Sequence, residues 1–306
     1  MPAAPERNTG NCVSARIRRG SIMRRRHSLD QARTISMKNI LLLVHDDIGQ
    51  EARLIAALGL TAALDGHLSC LDVIATPEGF YRMGGGPIAM MVLREEEVAE
   101  RRNKSTLRAR LLAKDIAFSW NDAAGDLATA LIDAAGLADL LVLNTILSDS
   151  DEALDMAVVI RSILRGVSTP VLAVPQKVTA FDATGHAVVL WDGSADAEAA
   201  LRAAVPLLAR AGSVTIIYAD DGSLGTPVGD ATAYLRHQNI IATPVRREID
   251  GGNAARAIEH YIARHEPAYV VMGAFGHGRV HDTLFGSVTG HLLAISTVPL
   301  LLARRA

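Results

Sequence analysis

The chain has little cysteine: Cys12 and Cys70 make neither a metal-spaced pair nor a disulfide framework, which fits a reducing, cytoplasmic compartment. It has no apolar run long enough to cross a bilayer, so no membrane partner is expected. No lysine follows its C-terminal glycine cluster, which excludes a Walker A loop, and the glycine spacing there is not G-x-G-x-x-G. Aromatic residues make up only 4% of the 306 residues, against 49% hydrophobic and 21% charged. That is the composition of an ordinary soluble chain long enough for two domains.

Basic charge is scarce outside one segment. Residues 1–36 hold eight arginines against Glu6 and Asp30, so the remainder carries 23 basic and 31 acidic residues, a net charge of −8. An acidic folded part gives a nucleic-acid partner no support, because phosphate-backbone binding needs a basic surface. Residues 1–36 also lack the hydrophobic segment of a secretory signal. They read as a disordered extension or an upstream start, with a targeting arm or a nucleic-acid-binding arm as alternatives, and Met37 opens the first strand.

From there the pattern alternates. Ile40–Val44 is a continuous apolar run suited to a strand buried on both faces, and a helical pattern follows from Gln50 to Ala63. Leu68–Ile74 is a second strand, and the loop 76–87 with Gly84-Gly85-Gly86 reads as a mobile linker or lid. A long charged helix, 88–114, precedes a third strand at Ile116–Trp120. A helix from Asp126 to Ala135, a strand at Leu140–Leu143, a helix from Asp151 to Leu164 and a strand at Val171–Val174 complete the first half. After the turn-rich stretch 175–185 the pattern restarts at Ala187–Trp191 and runs to a last strand at Pro299–Ala303. The expectation is α/β: two tandem Rossmann-like domains, 37–175 and 186–306, each a five-stranded parallel sheet with helices on both faces.

The chemistry concentrates near the C-terminus. Tyr269–Met272 reads as a strand, and Gly273 and Gly276 let the main chain turn and approach a ligand without a Cβ in the way. Gly286 and Ser287 open a helix whose free N–H groups suit a phosphate, with the Ser287 and Thr289 hydroxyls as further donors. Laying Pro170 on Pro299 and counting back without a gap puts Asn144 on Gly273, Leu147 on Gly276, Ala157 on Gly286 and Val158 on Ser287. The first half thus keeps the pattern and lacks the phosphate elements, which predicts one competent site and one degenerate copy.

The spacing G-x2-G-x9-G-S, with the closing stretch Ser296-Thr-Val-Pro299-Leu-Leu-Leu-Ala303, resembles the ATP-binding signature of the universal stress protein family, in its tandem two-domain form, over about residues 37–306. The resemblance implies a stress-response regulatory protein with ATP as cofactor, with or without Mg²⁺. It implies that the two domains pair with each other through their last strands as a pseudo-dimer, and it leaves a homodimer of whole chains open. Nucleotide-binding positions carried over are Asp192 near the adenosine end, Tyr218 and Ala219 beside adenine, and Met272, Gly273, Gly276, Gly278, Arg279, Gly286, Ser287, Val288 and Thr289 around the phosphates.

Each has a plainer alternative. Asp192-Gly193-Ser194 is also a turn with a Ser194 cap, Ser287 is also a helix cap, and Arg279 suits a surface role as well as a phosphate. His277, His281 and His291 lack the partners of a metal site, and no metal is expected. The competing functions are a slow ATPase, for which only Arg279, His281 and Asp282 stand near the loop, and a nucleotide-free dimerisation or scaffold module.

Overall fold

A computed structural model describes residues 36–75, 87–114, 116–145, 156–219, 225–247, 254–274 and 287–305. Residues 35–306 form one compact unit. The fold is α/β, a ten-stranded and almost wholly parallel sheet covered by helices on both faces.

β1 (Asn39–Val44), β2 (His67–Ala75), β3 (Phe118–Gly125), β4 (Leu140–Asn144) and β5 (Val171–Val174) come from the first half. β6 (His186–Trp191), β7 (Ser213–Tyr218), β8 (Ala242–Arg246), β9 (Tyr269–Gly273) and β10 (Leu300–Ala303) come from the second. The order across the sheet is β3-β2-β1-β4-β5-β10-β9-β6-β7-β8. The central strands are buried along their whole length because helices cover both of their faces. One face carries α1 (Gln50–Leu64), α2 (Pro87–Ala113), α5 (Ala195–Leu208) and α6 (Val228–His237); the other carries α3 (Leu127–Ala134), α4 (Met156–Gly166), α7 (Ala254–His265) and α8 (Ser287–Ile295).

β5 and β10 meet antiparallel, with Leu172 opposite Leu301, Val171 opposite Leu302 and Ala173 opposite Leu300. The frame that lays Pro170 on Pro299 also lays Leu172 on Leu301, so at the centre of the seam a residue faces its own counterpart. That is the signature of a local two-fold axis. The same frame holds within each half: Asn144 pairs with Val174 and Gly273 with Ala303, at matching positions.

One strand differs from expectation. β3 runs Phe118–Gly125 instead of Ile116–Trp120, in register with β2 from Leu68↔Phe118 to Ala75↔Gly125. Asn121 and Asp122 lie on the outermost strand, where polar side chains are tolerated; Asp122 is held there by Lys104 at 2.7 Å and the Trp120 indole N–H at 3.0 Å. Asp126, expected as the first helical residue, is instead the cap of α3 and accepts from the Thr129 N–H at 2.9 Å.

The stretch between the halves is packed against both of them. Phe181 lies against Gly59 of α1 and near the Tyr269 ring of β9, with centroids 6.1 Å apart. Tyr269 is fully buried and its hydroxyl has no hydrogen-bond partner. Tyr269→Phe removes that orphaned group and keeps the packing, so chemical denaturation should find stability unchanged or raised by up to about 1 kcal/mol.

Candidate functional site

In a doubly wound sheet, crevices open at the carboxyl edge where the strand order reverses. Here those points lie between β1 and β4 and between β6 and β9. The two crevices are built differently.

At the second, β6 delivers Asp192, Gly193 and Ser194. Asp192 is exposed and its Oδ1 accepts from the Ser194 N–H at 2.9 Å, while the Ser194 hydroxyl caps α5 by accepting from Ala197 N–H at 3.1 Å. The turn and the cap therefore coexist with an exposed carboxylate at the crevice. Gly193 is left-handed at φ +68° and buried under the chain returning after β7; a Cβ there would lie 2.5 Å from Thr226 N. The Thr226 N–H donates to Gly193 O at 2.9 Å, its carbonyl accepts from the Trp191 indole at 3.0 Å, and its hydroxyl donates to Glu198 Oε1 at 2.6 Å. Gly225, Thr226 and Glu198 are site-shaping residues that the sequence reading missed. A Thr–Glu pair so far apart in the chain leaves no local pattern to find.

Tyr218 and Ala219 close β7, half-buried, but the Tyr218 carbonyl already accepts the Arg247 N–H at 2.9 Å. The Met272 side chain is buried in the core, Val288 packs at the core's margin, and Thr289 is 5% exposed in the first turn of α8. Gly276, Gly278, Arg279, Gly286 and the Ser287 side chain lie outside the described residues, as do Gly84–Gly86.

Gly273 turns out to serve packing. A Cβ there would sit 2.6 Å from Ala197 N and 2.7 Å from Asp196 C, so β9 abuts the first turn of α5. At the first crevice this small-against-large contact is reversed. Gly49 stands at the start of α1, and a Cβ there would lie 2.5 Å from the Asn144 side chain at the end of β4.

Asn144 is fully buried, donates to Val174 O at 2.9 Å and accepts from Arg53 Nη1. Arg53, also fully buried, donates to Leu43 O at 3.1 Å, His45 O at 3.1 Å and both oxygens of Asp47, the closer at 2.7 Å. Burial pulls the Arg53 guanidinium below the usual arginine value, with the Asp47 carboxylate opposing. The first crevice is thus filled by the chain's own guanidinium, carboxylate and amide. Arg53 stands on the apolar stripe of α1 with Ala56, Ala57, Leu60 and Leu64, and that position was the signal available in the sequence.

Strand order, helices on both faces and crevices at the carboxyl edge define a doubly wound α/β protein. Residues 184–304 match the model of the universal stress protein family, and that match supports a stress-response role. The chain is similar in fold to a universal stress protein from Archaeoglobus fulgidus, with a TM-score of 0.67 and 17% identity over 89% of this chain and 98% of that one. It is also similar to two proteins from Pseudomonas aeruginosa, both at a TM-score of 0.52. One, functionally unknown, is 15% identical over 88% of this chain and 92% of its own; the other, described as a universal stress protein, is 16% identical over 88% and 93%. No match is found among curated protein sequences. Among the described residues no helix is long and apolar enough to cross a membrane.

The two contacts make opposite demands on substitution. Gly273→Ala forces a methyl into backbone atoms that have no room to move and should cost about 1–3 kcal/mol, read as a lowered urea midpoint at unchanged slope. Arg53→Leu leaves the Asp47 carboxylate and the Asn144 amide without their partner, and the same measurement should show a loss of about 3–5 kcal/mol.

Proposed function

We propose that this protein is a stress-response regulator that binds one adenine nucleotide, ATP with or without Mg²⁺, at the crevice of its second half. The observation that carries the reading is the contrast between the two crevices: Arg53, Asp47 and Asn144 fill the first, whereas the second presents an exposed Asp192 beside Gly273.

The residues present fit the ligand chemically. Asp192 is an acceptor for ribose hydroxyls, and the Ala219 backbone suits the edge of a base. The N-terminus of α8 supplies free N–H groups and a positive dipole end for phosphate oxygens. Gly276, Gly278, Gly286 and Ser287 complete the phosphate elements on the sequence resemblance, with Arg279 as an added cation. The protein's own part is binding and orientation; the reading requires no catalytic base, and turnover at most slow fits the same site.

In this reading the first half serves as the pairing copy and the chain is a pseudo-dimer of its own halves, which the antiparallel pairing of β5 with β10 supports. A cytoplasmic setting is supported by Cys70, a free and buried thiol that burial pushes up to about 12.

Calorimetric titration of nucleotide-free protein with ATP and Mg²⁺ tests the reading. One ATP per chain is expected, lost in Gly276→Val with the fold intact by circular dichroism. Absence of binding at millimolar ATP would leave the scaffold reading, and a stoichiometry of two would contradict a filled first crevice.

A further inference from the structure

Away from the nucleotide crevice, the outer carboxyl ends of the first half hold a group of titratable side chains that the proposed function does not use. Asp72 on β2 lies level with Val44 of β1 and Asp122 of β3, and it is only 4% exposed. Glu100 of α2 reaches the same place, where its Oε1 pairs with His45 Nδ1 at 3.0 Å and accepts the Asp46 N–H at 3.2 Å. Asp72 Oδ1 and Glu100 Oε2 are both buried without a hydrogen-bond partner. Lys104, the nearby cation of α2, is engaged by Asp122 at 2.7 Å and stands over the Trp120 ring, 5.3 Å from its centroid.

An orphaned buried carboxylate oxygen is costly, and two such carboxylates from facing elements repel when both are ionised. A proton on one of them supplies a donor and removes the repulsion. We propose that Asp72 and Glu100, together with His45, form a proton-operated clasp that fastens the middle of α2, at Glu100, to the sheet. The rest of the helix is fastened independently of pH near neutrality: Gln50 and Asn103 exchange amide hydrogen bonds at 2.7 and 2.8 Å, Arg110 is bidentate on Glu51 at 2.8 Å, and Leu107 and Leu111 are buried.

The groups facing the clasp set its pH window. Burial pushes Asp72 up to about 6, with the Glu100 and Asp122 charges adding and Lys104 and His45 opposing. His45 is raised mainly by its hydrogen bond to Glu100, against its own burial, with Asp47 adding and Arg53 opposing. Burial raises Glu100, but His45, the Asp46 N–H and Asn103 outweigh it and leave Glu100 lowered.

Asp72 and His45 thus both hold their protons more tightly in the closed form. Closure is strongest in acid; it weakens as pH rises through about 6 for Asp72, and further as His45 discharges above its ordinary range. Glu100 stays ionised through this window.

Hydrogen–deuterium exchange of the full chain, corrected for intrinsic rates, tests the clasp at pH 5 and pH 6, below the ordinary range of histidine. Opening of α2 around Glu100 should rise about fivefold over that interval, one pKa unit corresponding to tenfold. In Asp72→Asn, which is neutral at both pH values, the rise should vanish. Equal opening at both pH values in the unmodified protein, or a rise that persists in Asp72→Asn, would overturn the proposal. Carbon-13 titration of the Asp72 carboxyl in the unmodified protein gives an arm that does not depend on the variant folding: a midpoint near 6 is expected, and one below 5 sinks the clasp.

Discussion

The antiparallel pairing of β5 with β10 is the constraint on which the rest of the molecule depends. Each half ends on a short strand buried along its whole length, Val171–Val174 and Leu300–Ala303. Such a strand makes a poor free edge, because it exposes unpaired backbone groups together with a wholly apolar sequence. Joining the two edges removes both liabilities and continues both hydrophobic layers across the seam, with Leu172 and Leu301 on one side and Val171, Ala173, Leu300 and Leu302 on the other. The outer edges left by this arrangement are β3 and β8, which carry Asn121 and Asp122, and Pro244. Those residues suit an exposed edge.

Within that common frame the halves solve one packing problem in two ways. A helix start must lie against the end of a central strand, and one partner of the contact must be small. In the first half the small residue is Gly49 on the helix side, which lets Asn144 occupy the strand end; in the second it is Gly273 on the strand, against Asp196 and Ala197. Placing the side chain on the strand puts an amide into the crevice, where it accepts a hydrogen bond from the buried Arg53 that Asp47 neutralises. Placing the glycine there leaves no side chain at the strand end.

Most of the architecture was legible because strands buried on both faces are written as unbroken apolar runs, and Ile40–Val44, Leu140–Leu143 and Val171–Val174 need no partner to be recognised. The Pro170-on-Pro299 frame carried over into the strand register for the same reason, since those runs have fixed lengths. β3 was misplaced because an edge strand need not be apolar, so the strand runs on through Asn121 and Asp122 where the apolar pattern stops. The interactions that shape the crevices were hidden for another reason. Arg53 with Asn144 and Glu198 with Thr226 are separated by 91 and 28 residues, and a side chain bonded at such range has no periodicity. Gly273 was legible as a special position but for an incomplete reason: its missing Cβ is required by α5 whatever else approaches it.

Electrostatics also shapes the carboxyl edge of the first half. Around the carboxyl ends of β1–β3 stand Asp46, Asp47, Asp72, Glu100 and Asp122, against Arg53, Lys104 and His45. Both permanent cations are engaged by carboxylates, Arg53 by Asp47 and Lys104 by Asp122, so an arriving phosphate would meet a surplus of negative charge. In water such repulsion is weak, but in a partly desolvated crevice at an effective dielectric near 20 a like charge at 4 Å costs on the order of 4 kcal/mol. Restoring glycines to the first half would therefore leave that repulsion in place. Burial is the main cause of the raised proton affinity of Asp72, and the Glu100 and Asp122 charges of this acidic surplus add to it, so the same carboxylates that repel a polyanion also make the contact on α2 proton-sensitive.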